Sequence, residues 1–333
     1  MRIIALFVIF TILISGCGIL EIVGLGGNDK PIDVNYNSVH TGVQGLDFSF
    51  APDRPQSNYI IVPAGNDITV LIGIENKGAW DIPKGKGIIV LNFDKTYMDF
   101  PNNLWRFTLD EEIDEDLKGR SLTKPKGDTS RNSFNGKIFP LEELKKETTI
   151  NAIACYEYGT EYIFDVCIDT DPTNTKPLKK ACDLLQNKKK YNSITSGQGA
   201  PVAITQVDQA IRITPDNKLD IDFIIKIKNA GKGKIYDLSA TPNKLCNEGG
   251  GLEEADKVVI TADLAGLPLT CETLGEGRVF VREGLEGIVN CRVTGYSSTI
   301  EPSFLSKLKV TLNYDYVDSN GKIIILKKAG ARV

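Results

Sequence analysis

One strand pattern occurs twice in this chain and decides its fold. It reads NDITVLIGIENKG at residues 66–78 and LDIDFIIKIKNAG at residues 219–231. In both stretches, apolar side chains recur at every second position and the run ends in Asn-x-Gly. A period of two with many β-branched residues is typical of a strand that buries one face. The pattern therefore predicts an all-β protein.

The Asn-x-Gly ends predict a sharp turn after each strand. Asn76 and Asn229 tolerate the left-handed region and bond nearby backbone, while Gly78 and Gly231 adopt positive φ freely. These four residues are structural markers, and we assign them no chemistry.

A second motif follows each marker in the same order. Tyr-Glu-Tyr begins at Tyr156, 80 residues after Asn76, and Tyr-Asp-Tyr begins at Tyr314, 85 residues after Asn229. Two landmarks at nearly equal spacing indicate a tandem duplication.

The duplicated pattern resembles the immunoglobulin-like β-sandwich modules of prokaryotic, especially archaeal, surface proteins. Its Asn-x-Gly strand end is similar to the CARDB adhesion module. The resemblance implies two Ig-like sandwiches in tandem, in which Tyr156 and Tyr314 face inward and their hydroxyls seek backbone partners. It also implies a role in adhesion or structure at the cell surface.

The domain plan places two sandwiches after an anchor. Asn320-Gly321 predicts a hairpin turn within residues 318–321 of the last module. The segments are an export signal at 1–17, a spacer at 18–42, a first sandwich at 43–170 with a long insertion at 94–149, a linker at 171–199, and a second sandwich at 200–333.

The N-terminus has the layout of an export signal. Arg2 precedes an uncharged apolar run that ends in Ile14-Ser15-Gly16-Cys17. These four residues resemble the lipobox of prokaryotic lipoproteins, which implies cleavage before Cys17 and lipidation of its thiol. Alternatively, residues 3–26 remain uncut as an anchor helix, which is long enough to span a bilayer but includes Glu21. Both alternatives predict a membrane-anchored, extracytoplasmic body.

Six further cysteines lie beyond Cys17, and none forms C-x-x-C. Without that spacing, and with one histidine in the chain, a zinc site is not expected. Disulfides are the default outside the cytoplasm. Three of the six lie on each side of residue 199, so complete pairing requires at least one bridge between the halves. The candidates are Cys155, Cys167, Cys182, Cys246, Cys271 and Cys291.

Charge and composition exclude several functions. Lys and Arg number 39 against 43 Asp and Glu, giving a net charge of −4, which argues against a nucleic-acid partner. His40, the single histidine, is expected at the surface rather than in a catalytic triad. Ser121 and Lys124 match the S-x-x-K spacing of penicillin-interacting enzymes, but the sequence lacks their S-D-N and K-T-G elements. We therefore expect no enzyme activity, no cofactor and no metal.

The acidic run at residues 110–116 has two interpretations. Clustered carboxylates suit Ca²⁺. However, apolar residues recur at every fourth position, and this spacing favours a short helix with its acids in solvent. The run also lacks the EF-hand spacing. Asp169 and Asp171 form a second, weaker calcium candidate.

These features predict a structural or interaction protein of the cell envelope, anchored to the membrane and contacting other envelope proteins. One alternative is a surface lipoprotein that binds a saccharide or peptide, between the modules or in the long insertion. In that case, Trp80, Trp105 and Tyr97 would suit a sugar-stacking platform, although packing is their more ordinary role. A more remote alternative is an exported hydrolase.

Overall fold

Most of the described chain is β-strand, as the alternating pattern predicts. The computed structural model describes residues 38–55, 60–62, 66–107, 115–297 and 302–330. The export segment with Cys17, the alternative anchor helix at 3–26 and the first part of the acidic run lie outside the described residues, so these remain predictions. No helix within the described ranges is long and apolar enough to cross a membrane.

The described residues form seventeen strands and two short α-helices. Strands β1 to β8 are Leu46–Phe50, Ile60–Val62, Asn66–Asn76, Gly87–Asn92, Met98–Asp99, Leu104–Trp105, Thr129–Ile138 and Lys145–Asp169. Strands β9 to β17 are Val202–Ile213, Leu219–Asn229, Lys234–Tyr236, Lys257–Leu264, Leu267–Pro268, Thr270–Cys271, Arg278–Phe280, Glu286–Tyr296 and Ser303–Lys328. Helix α1 is Leu184–Lys190 and helix α2 is Pro242–Glu248.

These strands form three sheets. The N-sheet has the order β1-β3-β7-β5 and the C-sheet has the order β9-β10-β16-β14. The shared sheet has nine strands, with the path β13-β12-β17-β8-β4-β6 and with β2, β11 and β15 paired at its margins. The N-sheet and the C-sheet have matching topology. Each places its first strand beside the strand that ends in Asn-x-Gly, as a duplicated sequence requires.

Two strands of unusual length run through both halves. β8 has 25 residues and β17 has 26, against about five or six for an ordinary strand. They pair antiparallel from Lys145 opposite Lys327 to Asp169 opposite Ser303. β4 pairs with residues 151–156 of β8, and β12 pairs with residues 308–313 of β17. Because β8 and β17 pair with each other, the two halves share one sheet. The division of the chain into two sandwich domains remains a prediction.

The hairpin expected at residues 318–321 does not form. Asn320 and Gly321 lie inside β17 and pair with β8. The Asn320 side chain donates a hydrogen bond to the backbone oxygen of Phe48 at 3.1 Å. An Asn-Gly pair favours a tight turn, but here the uninterrupted neighbour β8 keeps the backbone extended.

The pairing of β8 with β17 relates the two halves by an approximate twofold axis. The Tyr-Glu-Tyr motif of β8 lies opposite the Tyr-Asp-Tyr motif of β17, so that Tyr156 faces Tyr316. The middle residues, Glu157 and Asp315, lie opposite each other. The axis therefore passes between these two carboxylates.

A continuous hydrophobic core lies between the shared sheet and the two smaller sheets. Both halves contribute to it through alternating strand positions. The four tyrosines of the repeated motif are among the largest fully buried side chains. The alternating buried positions of β3 and β10 are Ile68, Val70, Ile72, Ile74, Leu219, Ile221, Phe223, Ile225 and Ile227.

Three disulfides brace the fold. Cys155–Cys246 joins the halves across 91 residues, so one bridge crosses between them, as complete pairing requires. Cys167–Cys182 ties the predicted linker at 171–199 to β8. Cys271–Cys291 joins two directly paired residues of β14 and β16.

Candidate functional site

The Asn-x-Gly markers hold each half against a tyrosine of the central motif. Tyr158 Oη donates to Asn76 Oδ1 at 3.0 Å, and Tyr316 Oη donates to Asn229 Oδ1 at 3.3 Å. The same bond therefore occurs in both halves. These markers are part of the framework that positions the sheets.

The positive φ expected at Gly78 and Gly231 is not observed. A Cβ at either position would overlap a tyrosine hydroxyl, so these glycines allow a close approach rather than a left-handed turn. Tyr156 and Tyr314 are buried. Tyr314 Oη accepts a hydrogen bond from the backbone N–H of Val202 at 3.3 Å. Burial raises the pKa of both phenols well above their ordinary value.

The structure describes both catalytic candidates, His40 and Ser121. His40 is 7% exposed, so the expectation of a surface histidine is wrong. The neighbouring Gly42 bonds to Ser196 and Gly199, which shows that the chain already belongs to the folded body there. Ser121 Oγ accepts from the backbone N–H of Lys124 at 3.0 Å, in a local turn.

The calcium candidates are engaged by other groups. Asp169 lies 2.6 Å from the Lys180 ammonium. Hydrogen bonds from Thr175 and Lys176 lower the pKa of Asp171 to about 2. At the described end of the acidic run, the Lys118 ammonium lies 3.0 Å from Asp116. Within the described ranges, no group of three or more His, Cys, Asp or Glu could hold a metal.

The aromatic candidates do not form a stacking platform. Trp105 is 3% exposed and packs edge-on against Phe107, with ring centroids 5.6 Å apart. Trp80 lies over Gly159. Tyr97 donates from its hydroxyl to Glu143 at 2.8 Å. Each ring is therefore used in packing or in a local contact.

A groove of about 930 Å³ runs along the edge of β7. β7 pairs with β3 along its whole length, but with β5 only at its last two residues. Between Thr129 and Gly136, no second strand pairs with it in the described part of the chain. The backbone N–H and C=O of Leu71 in β3 bond to Arg54 and Ala51, which follow β1 in the chain and lie on the side of β3 away from β7. The residue opposite it, Ser133, therefore directs its N–H and C=O away from β3 and into the groove.

The opposite wall of the groove is the segment at residues 101–107. It is fixed to the shared sheet because Asn103 Nδ2 donates to the backbone oxygen of Leu91 at 3.0 Å. Arg106 and Arg131 supply two positive charges, and the described lining contains no carboxylate. The remaining lining residues are Leu71, Pro101, Asn102, Leu104, Trp105, Phe107, Ser130, Asn132, Ser133 and Asn135.

The sequence placed the alternative ligand site in the long insertion, but it did not identify the edge of β7 as a wall of this groove. β7 has the sequence TSRNSFNGKI and only two large apolar residues, so it gives a weak alternation signal and falls within the predicted insertion at 94–149. The signal that could have located it is the duplication. The C-sheet strand at the same position, β16, is flanked by a covering strand.

A buried carboxyl group lies at the twofold axis. Asp315 is fully buried, and among the described residues neither of its carboxylate oxygens accepts a hydrogen bond of ordinary geometry. Burial and the nearby charge of Glu157 raise the pKa of Asp315 to about 8, although the Lys86 ammonium opposes them. Asp315 therefore holds its proton at neutral pH.

Comparisons with known proteins find only weak likenesses. VesC, a secreted serine protease from Vibrio cholerae, is 11% identical with a TM-score of 0.20, and the alignment covers 82% of this chain and 50% of that chain. This chain thus spans half the length of that protease chain. The partial N-terminal region of an enterococcal surface protein is 10% identical with a TM-score of 0.20, covering 86% and 94% of the two chains. Neither a protein-family model nor a curated protein matches the chain.

Proposed function

We propose that this chain is a membrane-anchored, extracytoplasmic structural and interaction protein of the cell envelope, of the adhesion type. The observation that carries the proposal is the set of three disulfides in a chain that begins with an export-type sequence. Disulfides form and persist in oxidising compartments outside the cytoplasm. Cys17 would carry the anchoring lipid.

The folded body suits contact with other proteins. β8 and β17 connect the halves through continuous backbone pairing, and Cys155–Cys246 pins them covalently. A braced body of this kind can present a strand edge or a loop in a fixed orientation. The proposal assigns it no enzyme activity.

Acyl labelling in intact cells tests the anchor and the location. We expect the wild type and a Thr11→Ser control to incorporate an alkyne-tagged fatty acid, and Cys17→Ser to lose the label. Protease added outside the cells should digest the body in all forms that reach the membrane. An intact, unacylated product in the cytosol with reduced thiols would overturn the proposal.

The groove beside β7 supports a second candidate, a ligand-binding lipoprotein. Trp105 and the insertion at 94–149 contribute to its walls, as expected for a site in that insertion. Calorimetry with neutral oligosaccharides and with short peptides would test this function. Heat released by a saccharide, and lost on mutation of the groove, would favour a saccharide binder over the interaction protein.

A further inference from the structure

We propose that the open edge of β7 accepts an extended, acidic polypeptide strand from a partner protein, added antiparallel between Arg131 and Asn135. The inference rests on the proposed interaction function and specifies the chemistry of the partner. A strand edge with unpaired backbone groups binds an extended peptide through main-chain hydrogen bonds, while side chains in the groove select its sequence.

The second half of the chain shows what an occupant of this edge looks like. β16 is the counterpart of β7, because Thr129 and Glu286 pair with the residues that directly precede Asn76 and Asn229. There the antiparallel strand β14 covers the edge. The residue after β14, Glu272, donates its backbone N–H to the backbone oxygen of Asn290 at 2.8 Å.

The same register places Ser133 at the position of Asn290 and Asn135 at the position of Arg292. Ser133 presents its backbone groups to the groove, as Asn290 does to its covering strand. The equivalent edge thus has the same hydrogen-bonding geometry in both halves. In the first half, the described residues provide only β5, which pairs at the far end of β7.

Charge indicates that the added strand is acidic. On the covered edge, Arg292 lies 3.7 Å from Glu272, the acidic residue beside the covering strand. In the groove, Arg131 and Arg106 have no carboxylate partner among the described residues, and Arg106 is oriented by Asn243 Oδ1 at 3.4 Å. A glutamate or aspartate on the added strand would supply the missing charge.

A peptide fits this groove better than a saccharide. Sugar rings usually stack on an exposed aromatic face, and the Trp105 ring is 3% exposed. The exposed lining is instead a strand edge with amide, hydroxyl and guanidinium groups. These groups match the spacing and the polarity of the backbone groups of an extended polypeptide.

The test is binding of a labelled synthetic peptide to the purified full-length protein in detergent, measured by fluorescence anisotropy. The probe is a ten-residue peptide in which threonine and glutamate alternate, and its control replaces every glutamate with lysine.

Ser133→Pro removes the outward N–H without affecting the bonds to β3, and proline is tolerated on an edge strand at such a position. Ser133→Ala is its matched control. Lys137→Glu, on the same strand outside the groove, is the control for Arg131→Glu.

We expect the acidic peptide to bind, the lysine peptide not to bind, and Ser133→Pro and Arg131→Glu each to weaken binding about tenfold or more. The two control variants should stay within about twofold of the wild type. Unchanged binding to a folded Ser133→Pro variant would overturn the proposal. So would slow hydrogen exchange of the Ser133 amide in the protein alone, which would show that the chain covers its own edge.

Competition separates a saccharide site from a strand site. An acidic oligosaccharide, oligogalacturonate, should not displace the peptide. If it binds more tightly than the peptide and is unaffected by Ser133→Pro, the groove is a saccharide site and the inference is wrong. All these measurements use purified protein, so their failure leaves the cellular test of the anchor unaffected.

Discussion

Two equivalent carboxylates at the twofold axis have opposite environments. Glu157 lies 2.9 Å from the Lys86 ammonium and is partly exposed. Asp315, at the same position of the second repeat, is fully buried and accepts no hydrogen bond of ordinary geometry from the part of the chain that the structure describes. The duplication has therefore kept the backbone and the tyrosines while the electrostatic role of the central acid has diverged.

The asparagine markers differ in the same way. Asn76 is fully buried and bonds to the backbone oxygens of Trp80 and Leu117. Asn229 is partly exposed and bonds to Gly233 nearby in the chain. Both markers thus bond a tyrosine of the central motif, but the first also ties down the distant segment at Leu117, whereas the second otherwise bonds only within its local turn.

The largest expected effect comes from the bridge between the halves. Replacing Cys155 and Cys246 with serine should lower the free energy of unfolding by about 4–5 kcal/mol, because the closed loop is long. Replacing Cys271 and Cys291, which are separated by 20 residues, should cost about 3 kcal/mol. Guanidinium denaturation of the two variants measures the difference, and equal losses would contradict the bracing role of the longer bridge.

The asparagine pair gives the next largest contrast. Asn76→Ala should cost about 3 kcal/mol, because it removes the bonds from Asn76 to the Tyr158 hydroxyl and to the backbone oxygens of Trp80 and Leu117 at a fully buried site. Asn229→Ala should cost about 1.5 kcal/mol, since the Tyr316 hydroxyl keeps its hydrogen bond from the backbone N–H of Gly233 and the local turn is partly exposed. The two variants are compared by chemical denaturation at one pH. A larger loss for Asn229→Ala would show that burial does not determine the difference.

The buried carboxyl group of Asp315 predicts a dependence of stability on pH. The folded state holds the Asp315 proton up to a pKa of about 8, against an ordinary value of 3.8. Stability therefore falls as the pH rises between these values. Asp315→Asn should remove this loss and stabilise the protein by roughly 3 kcal/mol at pH 8 relative to pH 5. Denaturation across this range tests the effect. Glu157→Gln should reduce the slope only in part, because burial is the larger cause of the raised pKa of Asp315.

The smallest effect is expected at Lys86. Its pair with Glu157 is partly exposed, with 43% and 27% of the two side chains accessible. Lys86→Gln should cost no more than about 1 kcal/mol, as exposed ion pairs do. A thermal melt at low and at high salt measures it. A larger, salt-independent loss would mean that Lys86 mainly stabilises the buried region around Asp315.

The sequence predicts the strands but not their partners. Alternation at residues 66–76 and 219–229 is sufficient for an all-β fold, and the repeated motifs are sufficient for a duplication. The shared sheet is not predictable in this way, because a period of two defines a buried face and does not identify the neighbouring strand. For the same reason, Asn320-Gly321 predicts a turn where β8 in fact extends the strand.

The site could be predicted only in part. Asp315 lies between two tyrosines in a strand, a position that alternation places on the polar face, and only the chain folded over it shows that it is buried. One sequence signal extends the duplication further. Residues 36–39 read YNSV and residues 191–194 read YNSI, so each repeat begins earlier than the strand pattern indicates.

The pairing of β17 with the first half of the chain has a consequence for how the protein folds as it is made. The last part of β17 pairs with residues 145–154 of β8, which belong to the first half. A polypeptide emerges from the ribosome and from a translocon with its N-terminus first. The first half therefore lacks a strand until residues 318–327 have emerged, and pairing across such a long sequence separation is slow. Chaperones that hold the emerging chain would act during this delay.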